Sequence, residues 1–316
     1  MEARSHPQKF PDDSGPVGVY VHIPFCLSRC DYCGFVSYPF NETLEIPYIK
    51  ALTEEIRNVS KSSAFLDQSF PKPLDTIYFG GGTPSVFKPS SFYSLLQVIR
   101  ERFTCVDPVE ITVEVNPGTY GESEFIELRE AGINRISIGA QSLDDLELKR
   151  MKRLHSSADF MKALHEARSA GFENVSVDLL AGYPGQTLKS VLKSLNYVIE
   201  LGMVHVSVYL LEIKAGSSIE KLLQNGHVTC VDDDLVADMY EAICGELHSR
   251  GFNQYEISNF SRPGMESRHN LKYWADQVFV GFGLAAHGMT GQRRYSNIVD
   301  LDRYLSAAAC KESTIG

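Results

Sequence analysis

The chain has 316 residues, 43% hydrophobic and 22% charged, with a formal net charge of −10 at pH 7. That composition excludes a fibrous or disordered chain and suits a globular protein large enough to bury an extensive core. The acidic balance argues against nucleic-acid binding, which needs clustered Lys and Arg against phosphates; the densest basic stretch, residues 149–153, is expected on a helix.

Residues 1–17 are polar, contain three Pro and have no apolar core, so they read as a flexible leader and not a secretory signal. No apolar run reaches the roughly 18 residues of a membrane span. The expected location is therefore a reducing compartment, the cytoplasm or an organelle matrix, where disulfides are rare. Short apolar, β-branched runs follow at 19–23, 76–79, 111–115, 135–138, 175–180 and 206–211. Between them lie segments of 3.6-residue periodicity, such as Tyr48, Leu52, Ile56 and Val59, or Val191, Leu195, Val198 and Ile199. Gly132, Gly171, Gly202 and Gly251 stand where helices end. Six strand–helix units in series predict an α/β fold with a parallel sheet, either an open doubly wound sheet or a partial (β/α) barrel, over residues 18–231. From residue 232 the pattern changes. A long helix over 235–249 begins among Asp232, Asp233 and Asp234, and a Gly-rich segment follows, predicting an α+β extension over 232–316.

Chemically capable groups fall at the ends of successive strands, where parallel α/β sheets bind ligands. Cys26, Cys30 and Cys33 follow the first, Gly80-Gly81-Gly82-Thr83-Pro84 the second, Glu114 and Asn116 the third, and Gln141 the fourth. Asp178 lies within the fifth and Glu212 ends the sixth. Three thiolates at C-x3-C-x2-C can hold three irons of a cubane and leave the fourth open. A structural zinc site would need a fourth ligand, and only His22 stands near. The other four cysteines, Cys105, Cys230, Cys244 and Cys310, read as small buried hydrophobes. Gly281-Phe282-Gly283-Leu284-Ala285-Ala286 superficially matches a dinucleotide fingerprint but lies too near the C-terminus for a βαβ unit.

The cysteine spacing, with Tyr32 before the third Cys and the Gly81-Gly82-Thr83 turn, resembles the radical S-adenosylmethionine (SAM) superfamily. Further segments are similar to the HemN-like family within it. They are Tyr20-Val21-His22-Ile23-Pro24-Phe25-Cys26, Glu114-Val115-Asn116-Pro117-Gly118, Ile138-Gly139-Ala140-Gln141-Ser142 and Tyr255-Glu256-Ile257-Ser258-Asn259-Phe260. That family holds the oxygen-independent coproporphyrinogen III oxidases and the HemW heme chaperones. The resemblance implies a [4Fe–4S] cluster on Cys26, Cys30 and Cys33, with SAM chelating the open iron and cleaved when the cluster is reduced. It also implies a SAM site lined by Tyr20, Tyr32, Gly81, Gly82, Thr83, Glu114, Gln141, Arg153 and Asp178. Two features favour the HemW branch: Phe35 stands where the oxidases carry a further Cys, and His269-Asn270-Leu271-Lys272-Tyr273-Trp274 matches the H-N-x-x-Y-W motif linked to heme. The implied cargo is heme, held through His269, Asn270, Tyr273 and Trp274, with His287 a second candidate, and delivered to an acceptor protein. The alternatives are decarboxylation of coproporphyrinogen III and a zinc-stabilised α/β protein. Family members usually continue into a small C-terminal domain, so this chain is expected to be a fragment or a short member.

Overall fold

The computed structural model describes residues 15–59, 73–290, 293–310 and 312–316. The chain begins with β1 (Val17–Ile23), then the short strands β2 (Phe25–Cys26) and β3 (Tyr38–Pro39), and α1 (Glu42–Arg57). Regular alternation follows: β4 (Leu74–Gly81), α2 (Pro89–Arg102), β5 (Cys105–Val115), α3 (Glu122–Ala131) and β6 (Arg135–Gln141). Next come α4 (Asp145–Arg150), α5 (Ser157–Ser169), β7 (Val175–Ala181), α6 (Leu188–Glu200), β8 (His205–Leu210) and α7 (Ser218–Gln224). The remainder is α8 (Asp233–Ser249), β9 (Asn253–Gln254), β10 (Asn259–Ser261), α9 (Arg268–Trp274), β11 (Phe279–Phe282), β12 (His287–Thr290), β13 (Arg293–Ser296) and α10 (Leu301–Cys310).

All six predicted strands are present. They form part of one sheet in the order β13-β12-β11-β1-β4-β5-β6-β7-β8-β10-β9. The run from β11 to β8 is parallel, so there are seven parallel strands rather than six, with antiparallel pairs at both edges. The seventh, β11, comes from the Gly-rich segment. It leads into β12 and not into a helix, which disposes of the dinucleotide likeness. Residues 232–316 thus add strands to both edges of the sheet, and α10 packs on α1. The expected leader ends earlier than residue 17, because Val17 already belongs to β1; residues 1–14 lie outside the described residues.

The two faces of the sheet differ. Val19, Val21, Ile77, Phe79, Val113, Ile136, Ile138, Val177 and Val206 are buried and join the helices in one continuous apolar core. The alternate positions carry polar groups. Tyr20, Tyr78, Thr112 and Arg135 are in register across β1, β4, β5 and β6, and Glu114, Ser137, Ser176 and His205 across β5 to β8. Parallel strands covered on both faces are normally apolar throughout, so this face is built for something other than packing. The sheet is also strongly curved. Flat, β1 and β8 would lie five strand spacings apart, roughly 24 Å, yet Tyr20 and Tyr209 line one cavity. The hydrogen-bonded order is open, as a partial barrel requires.

Candidate active site

The loop after β1 carries the three cysteines and is clamped at both ends. Phe25 and Cys26 pair with Tyr38 and Pro39, and the Tyr38 and Phe40 amides donate to the Pro24 and Cys26 carbonyls at 2.7 and 2.9 Å. In mid-loop, the buried Asp31 carboxylate meets the Lys152 ammonium at 2.7 Å, and its carbonyl accepts from the Ile219 amide at 3.0 Å. Tyr32 stands edge-on to Tyr183. All three thiols line a cavity of about 410 Å³ at the C-terminal ends of the strands. Burial raises the Cys26 and Cys33 thiols above their ordinary pKa, and the neighbouring sulfurs add to this. Among the described residues no three His, Cys, Asp or Glu side chains converge on a point that would hold one ion. A cubane, whose thiolates bind separate irons, makes no such demand.

Opposite the thiols is the turn after β4. The Gly82 amide donates to the Ile23 carbonyl at 2.9 Å and the Thr83 amide to the Phe25 carbonyl at 2.8 Å. A Cβ on Gly82 would sit 2.8 Å from the Phe25 carbonyl oxygen and 3.0 Å from Cys26 Sγ. Gly81, at φ +121°, faces the His22 ring at 2.7 Å in the same sense. Only glycine allows this close approach. Thr83 Oγ1 lies 3.5 Å from Cys26 Sγ and accepts from Asn116 Nδ2 at 2.8 Å.

Two carboxylates face the cavity from the polar side of the sheet. Glu114 accepts from the Tyr78 hydroxyl at 2.8 Å and from the Gly81 amide at 3.1 Å. Burial, and next the charge of Asp178, push it up to about 7. Asp178 accepts from Ser137 Oγ at 3.1 Å and is also raised by burial. Arg153 is not on a helix as expected. It follows α4 in a turn with Lys152 at φ +56° and points inward. Its Nη2 donates to Asn116 Oδ1 and the Gly139 carbonyl, both at 2.7 Å, and Nη1 lies 3.5 Å from Cys30 Sγ. Gln141, at φ +66°, reaches the same cavity. Of the residues named from sequence for this site, all but Tyr20 line it; Tyr20 lines an adjoining chamber. Asn116, noted at the end of the third strand, lines it too; Ser137 and Tyr209 are additions, and Tyr78 joins through its hydrogen bond to Glu114. Their signal was the inward phase of each strand, visible once register is known.

The H-N-x-x-Y-W segment forms α9, which lies against the polar face of the sheet. His269 is fully buried, and both ring nitrogens are engaged: Nδ1 with Thr76 Oγ1 and Nε2 with the Tyr273 hydroxyl, each at 2.9 Å. Desolvation, then the nearby cations, lower it to about 3, so it is neutral. This departs from the accessible imidazole expected of an axial ligand. Trp274 is 56% exposed and lines neither cavity, while Asn270 and Tyr273 line the adjoining chamber. His22, weighed as a zinc ligand, also lines that chamber; its Nδ1 contacts the Tyr20 hydroxyl at 2.8 Å.

Comparison with known proteins agrees with this geometry. Residues 20–198 match the radical SAM superfamily. The heme chaperone HemW of Bacillus subtilis (strain 168) is 37% identical over 92% of this chain and 76% of its own length. HemW of Escherichia coli (strain K12) is 34% identical over 86% of this chain and 70% of its own. Coproporphyrinogen III oxidase (HemN) from Escherichia coli, a radical SAM enzyme, superposes with a TM-score of 0.80 over 98% of this chain and 76% of that one. At 22% identity that likeness speaks for the fold alone. With the cysteine loop, the glycine turn and the inward carboxylates at one end of a curved parallel sheet, the chain belongs to the radical SAM superfamily and, within it, to the HemW family.

Proposed function

We propose that this chain is a heme chaperone that carries a [4Fe–4S] cluster and SAM, binds heme and passes it to an acceptor protein. The observation that carries the reading is the identity to HemW proteins across about three-quarters of their length. Among the described residues no helix is long and apolar enough to cross a membrane.

The residues fit the cofactors. Cys26, Cys30 and Cys33 would hold the cluster, whose bound form supplies an open iron and an electron. Gly82, which a Cβ would jam against the Phe25 backbone, leaves room for a ligand's polar head beside Cys26. Arg153 would pair with the SAM carboxylate, and its Nη1 beside Cys30 offsets thiolate charge. Glu114 and Asp178 would accept hydrogen bonds from the amino group and ribose hydroxyls. Thr83 and Gln141 complete the polar lining, Tyr20 and Tyr32 the aromatic packing. The α9 motif enters this reading chiefly as wall, through Asn270 and Tyr273, because the His269 ring already spends both nitrogens inside the protein.

The test is an anaerobic titration of the cluster-loaded chain with heme, followed in the Soret region. Saturable binding at micromolar concentrations is expected; absence of saturable binding contradicts the chaperone reading.

A further inference from the structure

We infer that heme occupies the chamber beside the cluster cavity and that His287 supplies its iron ligand. The inference rests on the heme-chaperone reading and names the site that reading leaves open.

The chamber encloses about 510 Å³, within the range of about 300–1,000 Å³ usual for small-molecule and cofactor sites. It adjoins the cluster cavity, with which it shares Gly34, Phe35, Glu114 and Tyr209. Its walls are aromatic. Tyr20 and Tyr78 stack with centroids 6.2 Å apart, and Tyr273 meets Phe279 edge-on at 4.7 Å. Flat ring faces of this kind suit a planar macrocycle. The mouth keeps apolar groups in water: Phe35 is 66% exposed and Val299 is also exposed. Burying such groups under a flat apolar ligand is favourable by the area removed from water.

An iron ligand needs a ring nitrogen that is both unspent and within reach of the macrocycle. His155 spends its ring on Arg153 and the Ala140 carbonyl, and His205 on Ser176 and Tyr255. His269 is closed off as described. Among the described residues, His22 and His287 are the histidines that line the chamber. His22 is buried, with Nδ1 held by Tyr20; its Nε2 makes no well-formed hydrogen bond, although the Val36 backbone approaches the ring. His287 is exposed, and among the described residues its ring makes no hydrogen bond. It pairs with Ser296, which lines the same chamber. Its position is fixed by the sheet beneath: a Cβ on Gly281 would lie 2.0 Å from the His287 carbonyl oxygen, so β12 crosses close over β11 only because that residue is glycine. An accessible imidazole held by backbone at the edge of an aromatic chamber is what iron ligation requires.

The experiment is an anaerobic titration of ferric heme into the full, cluster-loaded chain, read by Soret position and by electron paramagnetic resonance of the ferric iron. Three proteins are compared: the unaltered chain, His287→Ala and His269→Gln. His287→Ala is expected to raise Kd roughly 10-fold or more and to lose the histidine-ligand signature, which added imidazole restores. His269→Gln is expected to keep the signature. If His287→Ala binds with an unchanged spectrum, or His269→Gln alone loses it, the ligand assignment is overturned while the heme reading stands. If the unaltered chain binds no heme, the reading and the inference fall together.

Discussion

Glu114 sits fully buried between Tyr78, the Gly81 amide and the charge of Asp178, and its pKa of about 7 follows first from desolvation. A carboxyl raised in the folded state binds more protons there than in the unfolded chain. Its contribution to stability is therefore fully present below the unfolded value of 4.5 and is lost as pH rises through about 7. The ligand-free protein should lose stability between about pH 5.5 and about pH 8, with Glu114 contributing at most about 3 kcal/mol of the change. Asp178, also raised, acts with the same sign. Urea unfolding at both pH values should show a flatter dependence for Glu114→Gln. An identical dependence in the two proteins would mean that the carboxyl is not held as described. At this scale the sequence was informative where chemistry is rare. Three thiols in eight residues and a triple glycine have few other uses. It was silent on Tyr78 and Ser137, which are ordinary strand residues until register turns them toward a carboxylate.

Among the elements, α9 diverges most from its sequence reading. The motif on this helix reads as an exposed ligand set, but the helix is also a plug. Lys272, 2% exposed in its side chain, forms an ion pair with Asp75 at 2.8 Å and donates to the Pro16 carbonyl at 2.9 Å. A Cβ on Gly18 would collide with Lys272 and with Thr76 Oγ1, so β1 yields space for the helix. Removing Lys272 takes the nearer cation from the buried Asp75 and leaves it the longer Arg268 contact at 3.4 Å, so Lys272→Ala should cost about 1–3 kcal/mol. Trp274→Ala, at a half-exposed position, should fall within about 0.5 kcal/mol. Chemical unfolding of the two variants checks this, and equal losses would contradict the packing of α9. The six strands of the core were legible because buried parallel strands are β-branched and run between periodic helices. β11 was not, because Phe279-Val280-Gly281-Phe282 is short and broken by a glycine. Gly281 answers to the close approach of the His287 backbone, which has no local pattern.

Over the whole molecule, one curved sheet carries an apolar face against the helices and a polar face around two adjoining cavities. The C-terminal quarter adds strands at both edges and lays α9 against the polar face, so it helps build the chamber. That arrangement depends on pairings between β1 and β11 and between β8 and β10, which join residues far apart in the chain. Periodicity gives the elements, and it does not say which edge a late strand will join. Cys26, Cys30 and Cys33 are proposed to hold a cluster with one iron left for SAM. The most direct measurement is electron paramagnetic resonance of the anaerobically reconstituted and reduced chain, with and without SAM, alongside iron and sulfide analysis. The expected result is about four irons and four sulfides per chain, a reduced-cluster signal that shifts when SAM is added, and loss of that signal in Cys26→Ala. Zinc without sulfide, or a cluster signal indifferent to both SAM and Cys26→Ala, would contradict it.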